Sequence, residues 1–179
     1  MALSSTVFNF DIDLADADRG VYETLALRVA RHPSESDEFL VTRVLAYCLE
    51  YREGIAFSRG GLSDTDDPPL AIRDLTGALQ TWIDVGTPAA DRLHRASKSA
   101  PRVAVYVHKD AAQWLSGLSS AKIHRGDELE IYAVDRTLVQ QLVAALDRRM
   151  SFALSVSGAE IYISLPDATL SGAVTRIRL

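Results

Sequence analysis

The chain has 179 residues, 47% of them apolar and 24% charged, with a formal net charge of -5. That length supports one sizeable core and does not make two ordinary domains the default, so residues 1–179 are read as one domain. The balance excludes a disordered or collagen-like chain. The negative sign argues against tight nonspecific DNA binding and asks for a local basic patch if nucleic acid is the partner.

From Thr6 to Leu14, Phe8, Phe10, Ile12 and Leu14 recur every second residue opposite Asn9, Asp11 and Asp13, the pattern of a half-buried strand. The polar "ADADRG" turns the chain, and "VYETLALRVARH" alternates again. We read the two as a long hairpin, with a helix over the second segment as the alternative. The N-terminus has no basic leader and no apolar core of a signal peptide or membrane span, and the single Cys48 cannot form an internal disulfide. A cytoplasmic protein with a buried, inert thiol and no membrane partner is expected.

At "HPSESDE" the period changes. Ser34 with Asp37 three residues later makes a helix-start pattern, and Leu40, Val44, Tyr47, Cys48 and Tyr51 follow at helical spacing. An amphipathic helix is predicted from Glu35 to Arg52, ended by Gly54. "IAFSRG" reads as a short strand, "GLSDTDDPPL" as a loop and "ALQTWIDVG" as a strand. Thr87 then caps, and Pro88 opens, a helix to Ser99. "RVAVYVH" is almost wholly apolar, as expected of a strand buried on both faces in the middle of the sheet.

"KDAAQWLSGLSSAKIHRGD" holds one short helix and "ELEIYAV" a strand. Asp135 caps a helix over "RTLVQQLVAALDRR", with Arg148 and Arg149 complementing its negative end. Strands "SFALSVS", "EIYISLP" and "TLSGAVTRIRL" close the chain, the first two joined by a tight Ser-Gly turn. The prediction is an α/β (α+β) domain with a mixed central sheet. Its core runs helix, strand, strand, strand, helix, strand between Glu35 and His108, with additional hairpins at both ends.

The chemistry centres on "WIDVGTP". A carboxylate at the end of a buried strand is costly unless hydrated, paired or bound to a cation, and a hard divalent ion such as Mg2+ or Mn2+ would account for Asp84. Asp74 in "IRDLTG" can sit on the neighbouring arm of a hairpin, and Glu38, or Glu35, in the first helix can supply a third oxygen. Such a site activates water for phosphodiester hydrolysis. Set against it are plainer roles: Asp84 paired with an arginine, Asp74 bonding its own turn, and Glu35 and Glu38 favouring a helix start. His32 fixes its corner and Ser34 caps a helix. His94, His108 and His124 lack zinc spacing. Trp82 and Trp114 pack in the core, with base stacking as the alternative.

"MAL", "LALRVARHPSESDE", "FSRGGL", "RDLTG", "WIDVGTP", "RLHRAS" and "VAVYVH", in that order over essentially the whole chain, resemble the YaeQ family, and the element order resembles the PD-(D/E)XK nuclease superfamily. The resemblance implies a restriction-endonuclease-like αβββαβ core, with Asp84 as the acidic residue of (D/E)-x-K, Asp74 as the preceding acidic position and Glu38 as the helix glutamate. Gly86 stands where that motif has lysine, and Arg95 or Lys98 in the following helix is available to take over its role on phosphate. Two functions follow: a divalent-metal-dependent nuclease acting on nucleic acid, or a non-catalytic nucleic-acid- or protein-binding module on the same fold.

Overall fold

The computed structural model describes residues 4–59 and 66–179. The "MAL" segment, the predicted strand's Gly60 and most of the loop "GLSDTD" lie outside the described residues.

The chain opens with strands β1 (Thr6–Asp16) and β2 (Val21–Arg31), an antiparallel hairpin in register from Thr6 opposite Arg31 to Asp16 opposite Val21. Phe8, Phe10, Ile12 and Leu14 face inward with Leu25, Leu27 and Val29, so strict alternation commits one face of both strands to the core. Helix α1 (Asp37–Leu49) follows. Strands β3 (Ile55–Phe57), β4 (Leu70–Arg73) and β5 (Leu79–Val85), helix α2 (Ala90–Ser99) and strand β6 (Arg102–Val107) come next, in the predicted order. Helix α3 (Ala112–Ser119), strand β7 (Glu130–Val134), helix α4 (Arg136–Ala144) and strands β8 (Arg149–Ser157), β9 (Glu160–Ser164) and β10 (Thr169–Ile177) complete the chain.

The strands form one mixed sheet, ordered β2-β1-β8-β9-β10-β7-β6-β5-β4-β3. Pairs β1/β8, β5/β6 and β6/β7 are parallel and the rest antiparallel. Strand β10 joins the two halves: Thr169–Ala173 pairs with β9 and Val174–Ile177 with β7. Residues from β2 and β4, near opposite ends of the sheet, share one core with α1 and α4, so the sheet curls around those two helices. A smaller core packs α2 against the other face of β5 and β6. Strand β6 is thereby covered on both sides, as its apolar run requires.

Four local expectations change. Ser36, not Ser34, caps α1, accepting from the Phe39 amide at 3.1 Å; it is the residue that immediately precedes the first helical turn. The helix is not one-sided, because the curled sheet buries Leu40, Val41, Val44, Leu45, Ala46 and Cys48 around its circumference. Thr87 does not cap α2, whose N-cap is Ala89 with no side-chain hydrogen bond. Arg148 and Arg149 do not complement the end of α4: the helix stops at Ala144, Arg149 enters β8 and Arg148 donates Nε to the Val7 carbonyl at 2.8 Å.

The cap at Asp135 is present, accepting from the Leu138 amide at 2.8 Å. The β8–β9 turn is tight, with Gly158 and Ala159 both at positive φ and both amides donating to Asp18. Among the described residues no helix is long and apolar enough to cross a membrane. Cys48 is fully buried, and burial pushes its thiol up to about 12.

Candidate functional site

Parallel strands β5 and β6 end side by side, with Asp84 opposite Val105, Val85 opposite Tyr106 and the Gly86 amide donating to the Tyr106 carbonyl at 2.8 Å. The carboxyl ends of parallel strands are where open α/β sheets place ligands. A cleft of about 250 Å³ lies there, and Ser36, Phe39, Asp84, Gly86, Arg92 and His108 are among its walls.

Asp84 is 2% exposed, and both its oxygens are taken. Arg92 Nε donates to Oδ1 at 3.0 Å and Oδ2 at 2.9 Å, and Trp82 Nε1 donates to Oδ2 at 3.0 Å. Arg92 also lies over the Trp82 ring at 5.2 Å and donates to the Asp67 carbonyl at 3.2 Å. Burial pushes the Asp84 carboxyl above its ordinary range, opposed by the Arg92 hydrogen bond and charge and by the Trp82 N–H.

The other walls carry a second buried ion pair. Arg43 of α1 meets Glu35 at 2.9 Å, and Glu35 also accepts from the His32 amide. Burial raises Glu35 and lowers Arg43, each opposed by the other's charge. Asp67, just before β4, accepts from the Ser58 hydroxyl at 2.6 Å. His108, just past β6, is 6% exposed, and neither ring nitrogen has a hydrogen-bond partner among the described residues. Its ring meets Phe39 edge-on at 6.4 Å. Burial first, then the Lys109 charge, lowers its pKa from 6.5 to about 4, with Glu38 opposing.

The predicted acidic set does not converge. Asp74 lies past Arg73, which pairs with Leu79, at the opposite end of the β4–β5 hairpin from Asp84. Five residues of strand separate the two levels, on the order of 17 Å, so they do not share an ion. Asp74 closes its turn instead, accepting from the Thr76 amide and hydroxyl, the Ala78 amide and the Gln80 side chain. Glu38 is exposed and does not line the cleft, while its competitor Glu35 is buried against Arg43. Arg95 and Lys98 are exposed further along α2, which runs away from the strand ends.

Among the described residues no group of three or more His, Cys, Asp or Glu can hold a metal ion. With Asp74 at the far end of the hairpin and both Asp84 oxygens held by Arg92 and Trp82, Asp84, Asp74 and Glu38 do not fit a shared Mg2+ or Mn2+. His32 is tied to Ser34, with Nδ1 2.6 Å from Oγ, and Trp114 donates to the Pro88 carbonyl at 2.8 Å, so both serve packing and corners. His124 donates its amide to His94, apart from His108.

Sequence reasoning missed Arg92 and undervalued His108. The helix after a parallel strand begins nearest the strand's end, so its first turn, not Arg95, faces Asp84. A histidine ending an apolar central strand was the other available signal. A second cavity of about 240 Å³ near the start of β6 asks for less. There Arg102 bridges Glu50 and Glu130, and Tyr106 and Tyr132 donate to those same carboxylates.

The family model for YaeQ proteins matches residues 1–173. The chain belongs to the YaeQ family. YaeQ of Salmonella typhi is 31% identical over 165 residues, covering 92% of this chain and 91% of that protein. YaeQ of Escherichia coli K12 is 29% identical over the same shares. The crystal structure of YaeQ from Xanthomonas axonopodis pv. citri superposes with a TM-score of 0.89 at 29% identity, covering 98% of this chain and 99% of that one. YaeQ from Pseudomonas syringae gives a TM-score of 0.86 at 30% identity, covering 98% and 97%. The mixed α+β fold with its curled ten-stranded sheet is thus shared with solved YaeQ structures.

Proposed function

We propose that the protein is a nucleic-acid-binding module on a PD-(D/E)XK-like architecture that does not hydrolyse its ligand. The order α1, β3, β4, β5, α2, β6 supports the restriction-endonuclease-like αβββαβ core, and Gly86 in place of the motif lysine supports the loss of chemistry. The buried Cys48 thiol fits a reducing cytoplasm.

One observation carries the reading. Both Asp84 oxygens are held by Arg92 and Trp82, so a hard cation would have to displace a buried charge-assisted pair to reach them. The cleft offers a ligand one cation, Lys109 at its mouth, which makes no ion pair among the described residues, alongside the Asp67 carboxylate that accepts from Ser58. Since the whole molecule carries net charge -5, attraction to phosphate is local to this cleft.

The test combines binding and cleavage. Single- and double-stranded DNA and RNA are incubated with the protein and Mg2+ or Mn2+, while anisotropy follows binding. Binding without cleavage is expected. Cleavage that disappears in Asp84→Ala would restore the metal-dependent nuclease.

A further inference from the structure

We propose that this cleft takes a terminal phosphate monoester of a nucleic acid, held between the N-terminus of α2, His108 and Lys109. The inference rests on the nucleic-acid reading and names the group recognised.

Two independent observations meet here. Helix α2 is ten residues long, and among the described residues no side chain caps its N-terminus. Its first intrahelical bond runs from the Leu93 amide to the Ala89 carbonyl, and among the described residues the Ala90 and Asp91 amides ahead of it meet no acceptor, at the positive end of the helix dipole. The second observation is His108, buried with neither ring nitrogen partnered among the described residues although it lines the same cleft. A buried polar ring without partners is costly, and an oxyanion in the cleft accepts from it.

Gly86 keeps the intervening space open. At φ +88 a side chain is disfavoured, and a Cβ there would come within 3.7 Å of His108 Cε1. Thr87, Pro88 and Arg92 line the cleft at the start of α2, and Lys109 follows His108 at its mouth.

Of the three carboxylates nearest the cleft, Asp84 is neutralised by Arg92 and Glu35 by Arg43, and the third, Asp67, keeps its charge as a hydrogen-bond acceptor of Ser58. Asp91 in the first turn of α2 and Glu38 in the first turn of α1 are exposed to solvent, which screens them.

Depth selects the end of a strand over its middle. An internal phosphodiester carries two substituents that both need a way out. A terminal monoester carries one and adds charge, so it can reach a nitrogen on a side chain only 6% exposed.

Short oligonucleotides carrying phosphate or hydroxyl at the 5′ or 3′ end are titrated by anisotropy, with inorganic phosphate and a nucleoside monophosphate as calorimetric probes. One phosphorylated end should bind at least tenfold tighter than its hydroxyl counterpart. His108→Phe, which keeps an aromatic ring beside Phe39, and the exposed Lys109→Ala should each bring that ratio close to one. Asp74→Ala should leave it unchanged.

Equal affinity for both ends in the wild type, or a ratio that survives both His108→Phe and Lys109→Ala, overturns the inference while leaving the binding reading in place. If the monophosphate or inorganic phosphate binds through His108 and no oligonucleotide does, the nucleic-acid reading falls and the phosphate site stands. No binding of any probe by folded protein removes both.

Discussion

Replacing Asp84 by alanine separates a structural ion pair from a hydrated, metal-competent carboxylate. The substitution leaves the Arg92 guanidinium and the Trp82 N–H without their acceptor. Removing one partner of a buried pair costs about 3–5 kcal/mol. The Arg92 side chain is 21% exposed and can turn to water, which offsets about half of that cost, on the order of 2 kcal/mol. The orphaned indole N–H adds about 1 kcal/mol. A net loss of about 3 kcal/mol is expected, lowering the melting temperature by roughly 6–12 °C. Asp84→Asn keeps an acceptor for Trp82 and should cost about half as much. Urea unfolding followed by tryptophan fluorescence reads both, with and without millimolar Mg2+. A loss below about 0.5 kcal/mol, or Mg2+ stabilisation of the wild type that vanishes in the variant, would refute the closed pair.

Acid should weaken the fold through His108. Its folded pKa, about 4, lies below the ordinary 6.5, so its contribution is complete above pH 6.5 and is lost as pH falls toward 4. The wild type should lose up to about 3 kcal/mol over that window, and His108→Phe should remove that part of the slope in urea unfolding at stepped pH. Ala159→Gly should stabilise by about 1 kcal/mol in the same assay, because Ala159 holds φ +61 in the β8–β9 turn. Cys48 should resist a thiol reagent in the native protein and react fully in denaturant, since it is buried and its thiol is pushed up to about 12. Asp74→Ala should lower the unfolding midpoint without altering nucleic-acid binding, because its hydrogen bonds close the β4–β5 turn.

The sheet was legible wherever one face is dry and the other wet. Alternation found β1, β2, β8 and β9, and the unbroken run "RVAVYV" marked β6 as covered on both sides. Helix edges were less legible because the decisive groups are single side chains with near-identical neighbours. Ser34 and Ser36 both stand ahead of α1, and only the fold shows that Ser34 bonds His32 while Ser36 caps. The circumferential burial of α1 was hidden for another reason: periodicity reports one apolar face, whereas curling of the sheet is set by contacts between distant strands.

The site was half legible, and the difference lies in strand direction. The apolar run places Asp84 at a strand end, but the arms of the β4–β5 hairpin are antiparallel and run in opposite senses. A residue after β4 therefore lies far from the end of β5, and a residue before β4 lies near it. The register, with Leu70 opposite Ile83, brings the Asp67 segment toward Asp84, and the Arg92 bond to the Asp67 carbonyl fastens the two. The same rule of direction explains the cations. Because β5 and β6 are parallel, α2 must start at their carboxyl ends and return, which brings Arg92 to Asp84 and carries Arg95 and Lys98 away. Once Arg92 is spent on Asp84, the groups left for a ligand are the uncapped start of α2, His108 and Lys109, donors suited to an oxyanion and not to a divalent cation.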